Sequence, residues 1–364
     1  VGHQAMLNNT IGSDGTAVGR AALASNTEGD FNTAIGFNSL YSNTTASNNT
    51  AVGYEAGYSN TTGQRIVAIG KGALHTHNVT DASATNNVSV GYESSYSTTT
   101  GIDNTALGSS TFYSNTTGAN NTALGRLALY SNTTASGNTA VGYQAGYSNT
   151  TGEQNAHIGF TSGQLNTTGY NNSALGYNSL KSNTTGALNT AIGHSALTAN
   201  TTANNNTAVG YQAGYSNTTG TGIVAVGQQA LRGNTTANNN TALGYSAAYA
   251  NTTGHSNVAV GQAAFDANTT GAQNVAVGRH ALGGNTTANL NTAVGNEALL
   301  VNTTGANNVA VGAQALDANT TASNNVAVGA YALTTNTTGS ENIAIGRSAL
   351  EANTTGSYNV AIGQ

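Results

Sequence analysis

The chain has 364 residues, only 6% of them charged, with 47 Gly and no Pro, Cys or Trp. Globular domains carry about 25% charged residues, and disordered chains are normally rich in charge and Pro and lack regularly placed aliphatic residues, so this composition excludes both. The net charge of −5, with eight scattered Lys and Arg, excludes binding to nucleic-acid phosphates, and the apolar runs are too short to span a membrane.

In chain order, Val1-Gly2 enters in mid-motif and Ala361-Ile362-Gly363 leaves in mid-motif, so the expectation is a piece of a longer repetitive protein. A small-apolar-Gly tripeptide follows as Ala17-Val18-Gly19, Ala34-Ile35-Gly36, Ala51-Val52-Gly53 and Ala68-Ile69-Gly70, each 17 residues after the last. The step from Gly70 to Gly91 is 21, a four-residue insertion within 71–90. From Ser89-Val90-Gly91 to Ala361-Ile362-Gly363 the step is 17 again. A strict period over the whole chain means stacked repeats. Seventeen residues is too few for the helix pairs of ankyrin or tetratricopeptide repeats, which need ~33–34, and Gly, Thr, Asn and Val disfavour helix. The expected fold is all-β: a single continuous parallel β-solenoid over 1–364, about 21 stacked 17-residue coils, with 71–90 an irregular coil.

Within one coil, Asn49-Thr50-Ala51-Val52-Gly53 reads as a first strand and Ser39-Leu40-Tyr41-Ser42 as a second. Alternation places Thr50 and Val52 on one face and Ala51 on the other, and Leu40 opposite Ser39 and Tyr41. The expected core is thin, with one Val, Ile or Leu, one Leu and several Ala per coil. The small residues Ala51 and Ser39 then form the outer face, where close packing of sister chains would make a homotrimer. No charged residue falls in the Thr-Ala-Val-Gly segment or at the Ala-Leu pair. Arg20, Lys71, Arg126, Arg279 and Arg347 directly follow the motif glycine, and Lys181, Arg232, Asp266, Asp317 and Glu351 follow the leucine, so those two positions are expected to face water.

Asn-Thr-Ala-Val-Gly-Tyr-Gln-Ala, at Asn138–Ala145 and Asn206–Ala213, resembles the head repeats of trimeric autotransporter adhesins, and similar repeats occur in phage tail-fibre-like proteins. The likeness runs through essentially the whole chain. It implies a left-handed β-roll, usually trimeric, displayed at a cell or virion surface. The coils here are longer than is usual in that family, the extra length carrying an Asn-Thr-Thr turn. No stalk coiled coil or membrane anchor is legible in these residues.

Asn-x-Thr is the most repeated chemical feature, and exposed turns of this kind would be N-glycosylation acceptors. The candidates are Asn43, Asn60, Asn78, Asn115, Asn132, Asn149, Asn166, Asn183, Asn200, Asn217, Asn234, Asn251, Asn268, Asn285, Asn302, Asn319, Asn336 and Asn353. The alternative is structural: Asn suits left-handed turns and forms stacked ladders, and glycans ~4.8 Å apart would crowd one another. Tyr forms two further rows. Tyr41, Tyr58, Tyr96, Tyr113, Tyr130, Tyr147, Tyr215 and Tyr249 follow the leucine, and Tyr54, Tyr92, Tyr143, Tyr177, Tyr211 and Tyr245 follow the motif glycine. Such rows either stack on sugars and host surfaces or stabilise one another. His75, His77 and Asp81 offer metal-ligand types without an evident fourth ligand, and read instead as an exposed loop. Repeated coils of small side chains offer no concave catalytic site, so no catalytic residue, cofactor or metal is assigned.

The sequence reading is a non-catalytic extracellular fibre or adhesin rod at a cell or virion surface. Self-association would take the form of a homotrimer or an end-to-end filament, with possible covalent glycans and a host-surface or carbohydrate ligand. A phage tail-fibre shaft is an alternative. An ice-binding solenoid is another, but it needs a flat Thr-x-Thr array, and adjacent Thr44 and Thr45 point to opposite sides of an extended chain.

Overall fold

The computed structural model describes every residue except Ala82, which lies inside the insertion. Among the described residues there is no helix, and the regular elements are three-residue strands. The chain divides into two compact units, Val1–Gly186 and Ala187–Gln364. Each is a parallel β-solenoid.

The first unit holds β1 (Thr16–Val18) to β10 (Ser173–Leu175). Successive strands pair in parallel with equivalent positions opposite one another: Thr16 faces Thr33, Ala17 faces Ala34 and Val18 faces Ile35. The insertion does not disturb this ladder. Val67 of β4 (Val67–Ile69) still faces Val88 of β5 (Val88–Val90), so the extra residues loop out elsewhere in the coil. The second unit holds β11 (Thr190–Ile192) to β21 (Val360–Ile362), paired in the same register.

The two faces of the strand are the reverse of those expected. Ala51 is fully buried, whereas Val52 is half-exposed and Ile69 is 38% exposed. Val141 is likewise half-exposed beside fully buried Ala140. Alternation separates Ala from Val correctly, but it is Ala that points inward. The core is so narrow that its strand side admits only a methyl group, and the aliphatic row therefore faces outward. Small residues at Ala51 and Ser39 reflect this narrow interior; both are fully buried, so no sister chain packs against them.

The second expected strand is also different. Leu40 is fully buried as expected, but it lies at φ 46°, with Asn38 two residues before it at 54°. Left-handed residues break the extended geometry of a strand, and the segment becomes a run of turns. Its backbone still bonds between coils: Leu40 N donates to Ala56 O at 3.0 Å and Ser42 N to Tyr58 O at 3.1 Å. The motif glycine closes the strand at a sharp corner. Gly36 sits at φ 135°, and a Cβ there would overlap the carbonyl oxygen of Gly53 on the next coil, so no other residue fits.

Core volume is conserved by compensation between neighbouring coils. Where Gly57 and Gly214 replace the core leucine, Ile66 and Ile223 take the place of a core asparagine and fill the space. Where Ser95 replaces the leucine, Ser89 replaces the strand alanine, and their hydroxyls bond at 2.7 Å.

The reversed faces have a direct consequence for stability. Ala276→Leu is expected to overpack the interior and cost about 1–3 kcal/mol. Val277→Thr, one residue on, should stay within about 0.5 kcal/mol because that side chain is half-exposed. Urea melts of the two variants check this; equal losses would contradict the assignment of faces.

Candidate functional site

The repeat presents three features with chemical content: the Asn-Thr-Thr turn, the aromatic rows and the outward face of the strands.

Asn43 opens the turn and points inward, fully buried. Its Nδ2 donates to Ala46 O at 3.0 Å, closing the turn, and to Asn26 Oδ1 at 2.8 Å on the preceding coil. The same pair of bonds recurs through the second unit, for example from Asn268 to Gly271 O and to Asn251 Oδ1. A second asparagine ladder lies at the entrance to the strand. Asn49 N donates to Asn32 Oδ1 at 3.0 Å, and Asn49 Nδ2 donates to Gly63 O at 3.1 Å. Ladder asparagines are thus structural members of the core; in Asn43 the amide both donates and accepts.

This geometry bears on the glycosylation candidates. Asn43, Asn60, Asn115, Asn132, Asn149, Asn166, Asn183, Asn200, Asn217, Asn234, Asn251, Asn268, Asn285, Asn302, Asn319 and Asn336 are buried. Their Nδ2 atoms are bonded inside the coil and are not presented to solvent in the folded protein. Asn353 is half-buried, with Nδ2 bonded to Asn336 Oδ1 and Gly356 O. Asn78 alone of the eighteen is exposed.

The aromatic rows stabilise one another. In the first unit Tyr41, Tyr58, His75, Tyr96, Tyr113, Tyr130 and Tyr147 form one run, with centroids 4.8–5.4 Å apart and planes within 11°. Each interior ring spends both faces on its neighbours, leaving edges and hydroxyls toward water. A pyranose stacks on a ring face, so this run offers it nothing along its length. The row after the motif glycine is shorter and interleaved with cations. Lys71 lies 5.9 Å from the Tyr54 ring and 5.4 Å from that of Tyr92, each contact worth about 0.5–1 kcal/mol at an exposed site. In the second unit the row after the leucine also takes a cation, Arg232, which lies 5.5 Å from both Tyr215 and Tyr249.

The histidine expectations change. His75 belongs to the aromatic run and pairs with Glu55 at 3.4 Å, while His77 is buried in the asparagine ladder. Among the described residues no group of three or more His, Cys, Asp and Glu is placed to hold a metal. His157 is a buried titratable residue that sequence reading passed over. It occupies the inward strand position that is normally Ala, and its ring fills the space left by Gly146 and Gly163, which stand where leucine is usual. Those two glycines eleven residues before and six after are the signal that would have found it.

Both ring nitrogens of His157 lack hydrogen-bond partners, and burial pushes its pKa down to about 4. The unfolded chain therefore takes the proton first. Stability is complete above about pH 6.5 and falls as pH drops toward 4, by about 3 kcal/mol in total. His157→Ala should remove that part of the slope, as read by urea melts at pH 7 and pH 4.5. His77 is also lowered to about 4, by burial opposed in part by the Thr99 backbone, so the variant retains some acid sensitivity.

The outward face of the strands carries two ladders. In the first unit they are mainly Thr and Val, Ile or Leu, as in Thr122 and Leu124. Toward the end of the second unit, from Val258–Val260 to Val360–Ile362, Thr292 is the single polar residue among the outward positions. Ile343 and Ile345 are 38% and 39% exposed. No strand carries an Asp, Glu, Lys or Arg. Close packing of copies is expected from the sequence on the opposite, small-residue face.

Comparison of the chain with models of protein families and with curated proteins returned no match.

Proposed function

We propose that this protein is a non-catalytic structural segment of an extracellular or virion-surface fibre, of the adhesin-head or tail-fibre-shaft kind, which associates laterally with copies of itself. The observation that carries this reading is the uncharged aliphatic face of the second unit. Contiguous exposed apolar strips are rare on monomers and mark association surfaces. The strip here is self-compatible: it bears no charge, and its side chains repeat at the coil spacing of ~4.8 Å. A second copy can therefore interdigitate with it at any coil-length offset, and the resemblance to trimeric adhesin heads supports three copies. The asparagine ladders and self-satisfied aromatic run support a scaffold role, because the most repeated residues are spent on holding coils together.

Val311→Lys combined with Val328→Lys places like charges on that face without entering the core. Sedimentation at high protein concentration should show the unaltered chain as an oligomer and the double variant as a monomer, with unchanged circular dichroism. An unaltered chain that stays monomeric would sink the lateral-association reading.

One further observation favours ice or ordered water as an alternative occupant in the first unit. The outward pairs Thr105 and Leu107, Thr122 and Leu124, and Thr139 and Val141 make a regular array of hydroxyls and methyls, which the adjacent Thr44 and Thr45 do not. Thermal hysteresis of the monomeric double variant tests this separately.

A further inference from the structure

We propose that the turn at 76–81 is an acid-released element of the rod: His77 takes a proton, leaves the core and frees this turn, while the strands beside it stay paired. This inference rests on the asparagine ladder and is independent of the fibre reading. The ladder has a direction. Asn26, Asn43 and Asn60 each donate Nδ2 to the Oδ1 of the coil before. The same chain of bonds resumes at Asn115, which donates to Thr98 Oγ1 at 3.4 Å. His77 stands in the break, 17 residues after Asn60, and is fully buried. Neither ring nitrogen has a partner, and Asn60 Oδ1 on the coil before is left without a donor. No other buried asparagine oxygen is left so among the described residues. Buried polar atoms of this kind regain hydrogen bonds only on meeting water, so the break favours opening.

The chain has the slack to open there. From Asn43 to the strand residue Thr50 is seven residues, whereas from His77 to the equivalent Val88 is eleven. Because Val67 of β4 still faces Val88 of β5 across the insertion, the turn can leave without parting the strands. What holds it is modest: Asn78 N donates to Thr99 O at 2.9 Å, Thr62 Oγ1 donates to Val79 O at 2.7 Å, and the Val79 side chain is buried. Segments with so few ties open at lower free energy than the whole fold.

No charge steadies the ring. Glu55, Arg65, Lys71, Asp81, Glu93 and Asp103 are the charged residues of its own coil and the two flanking ones, and none is among the causes that set its protonation. Those causes are burial, which lowers its pKa to about 4, and the Thr99 backbone, which opposes the shift. His75 turns outward into the aromatic run between Tyr58 and Tyr96. A released His77 binds its proton near the ordinary 6.5, so the closed turn is fully favoured above that pH and loses ground as pH falls toward 4. His157 is equally buried and unpaired, but β9 (Ala156–Ile158) pairs in full register with both neighbours. Its proton uptake therefore requires the regular coils to part.

Hydrogen–deuterium exchange of the full chain, read by mass spectrometry at pH 7 and pH 4.5 and corrected for intrinsic rate, tests this. The reporters are the amides of Thr76 and Asn78, bonded to Tyr96 O and Thr99 O. Their protection should fall about 50-fold at pH 4.5, without a matching fall in the regular coil around Asn132. His77→Asn supplies a donor to Asn60 Oδ1 and should abolish most of the change, whereas His157→Ala should retain it. Protection over 76–81 that is the same at both pH values, that falls only together with the regular coils, or that falls equally in His77→Asn overturns the proposal. The unaltered chain and His157→Ala decide it even where His77→Asn does not fold.

Discussion

In-register stacking is the constraint from which the rest of this structure follows. Because successive strands pair residue for residue at a constant step, most side chains have their own kind as neighbours ~4.8 Å above and below. Only residues that tolerate such neighbours persist. Asparagine does so best, since its amide donates to the carboxamide of the preceding coil and accepts from that of the following one. Tyrosine stacks. Like charges directly opposite one another repel, which explains the 6% charged content and why no two adjacent coils place Asp, Glu, Lys or Arg on the aromatic rows.

The interior that results is narrow and half polar. Leu and Phe fill one side, Ala methyls line the strand, and two asparagine ladders occupy the remainder. Such a core tolerates substitution only in compensated pairs. Gly57 with Ile66, Gly214 with Ile223, Ser95 with Ser89, and Gly146 and Gly163 with His157 each preserve the space that the regular coil fills with Leu, Asn or Ala. The price of the last arrangement is an imidazole with no partner for either nitrogen, which ties stability of that coil to pH.

The same principle separates structural from chemical content among repeated motifs. Asn-Thr-Thr looks like an acceptor motif because the ladder demands Asn at its first position, and Thr44 then bonds through Oγ1 to Thr61 O on the next coil at 3.2 Å. The exposed second Thr, such as Thr45, has no role that the structure explains. Where the ladder residue is His77, the motif slips by one and its Asn78 lies exposed.

By itself the sequence determined the period, the parallel stacking, the all-β class, the inward Leu, the outward charges and the separation of Ala from Val. All of these follow from local alternation and from a step that repeats without error outside 71–90. Only the tertiary structure decided which of the two strand faces lies inside, that Ser39–Ser42 is a turn with Leu40 left-handed, and that the Asn-Thr-Thr asparagines other than Asn353 are buried. Ala and Val are both apolar, so alternation sorts them without ranking them. The width of the closed coil makes that choice, and width belongs to the whole ring of seventeen residues and to no one segment of it.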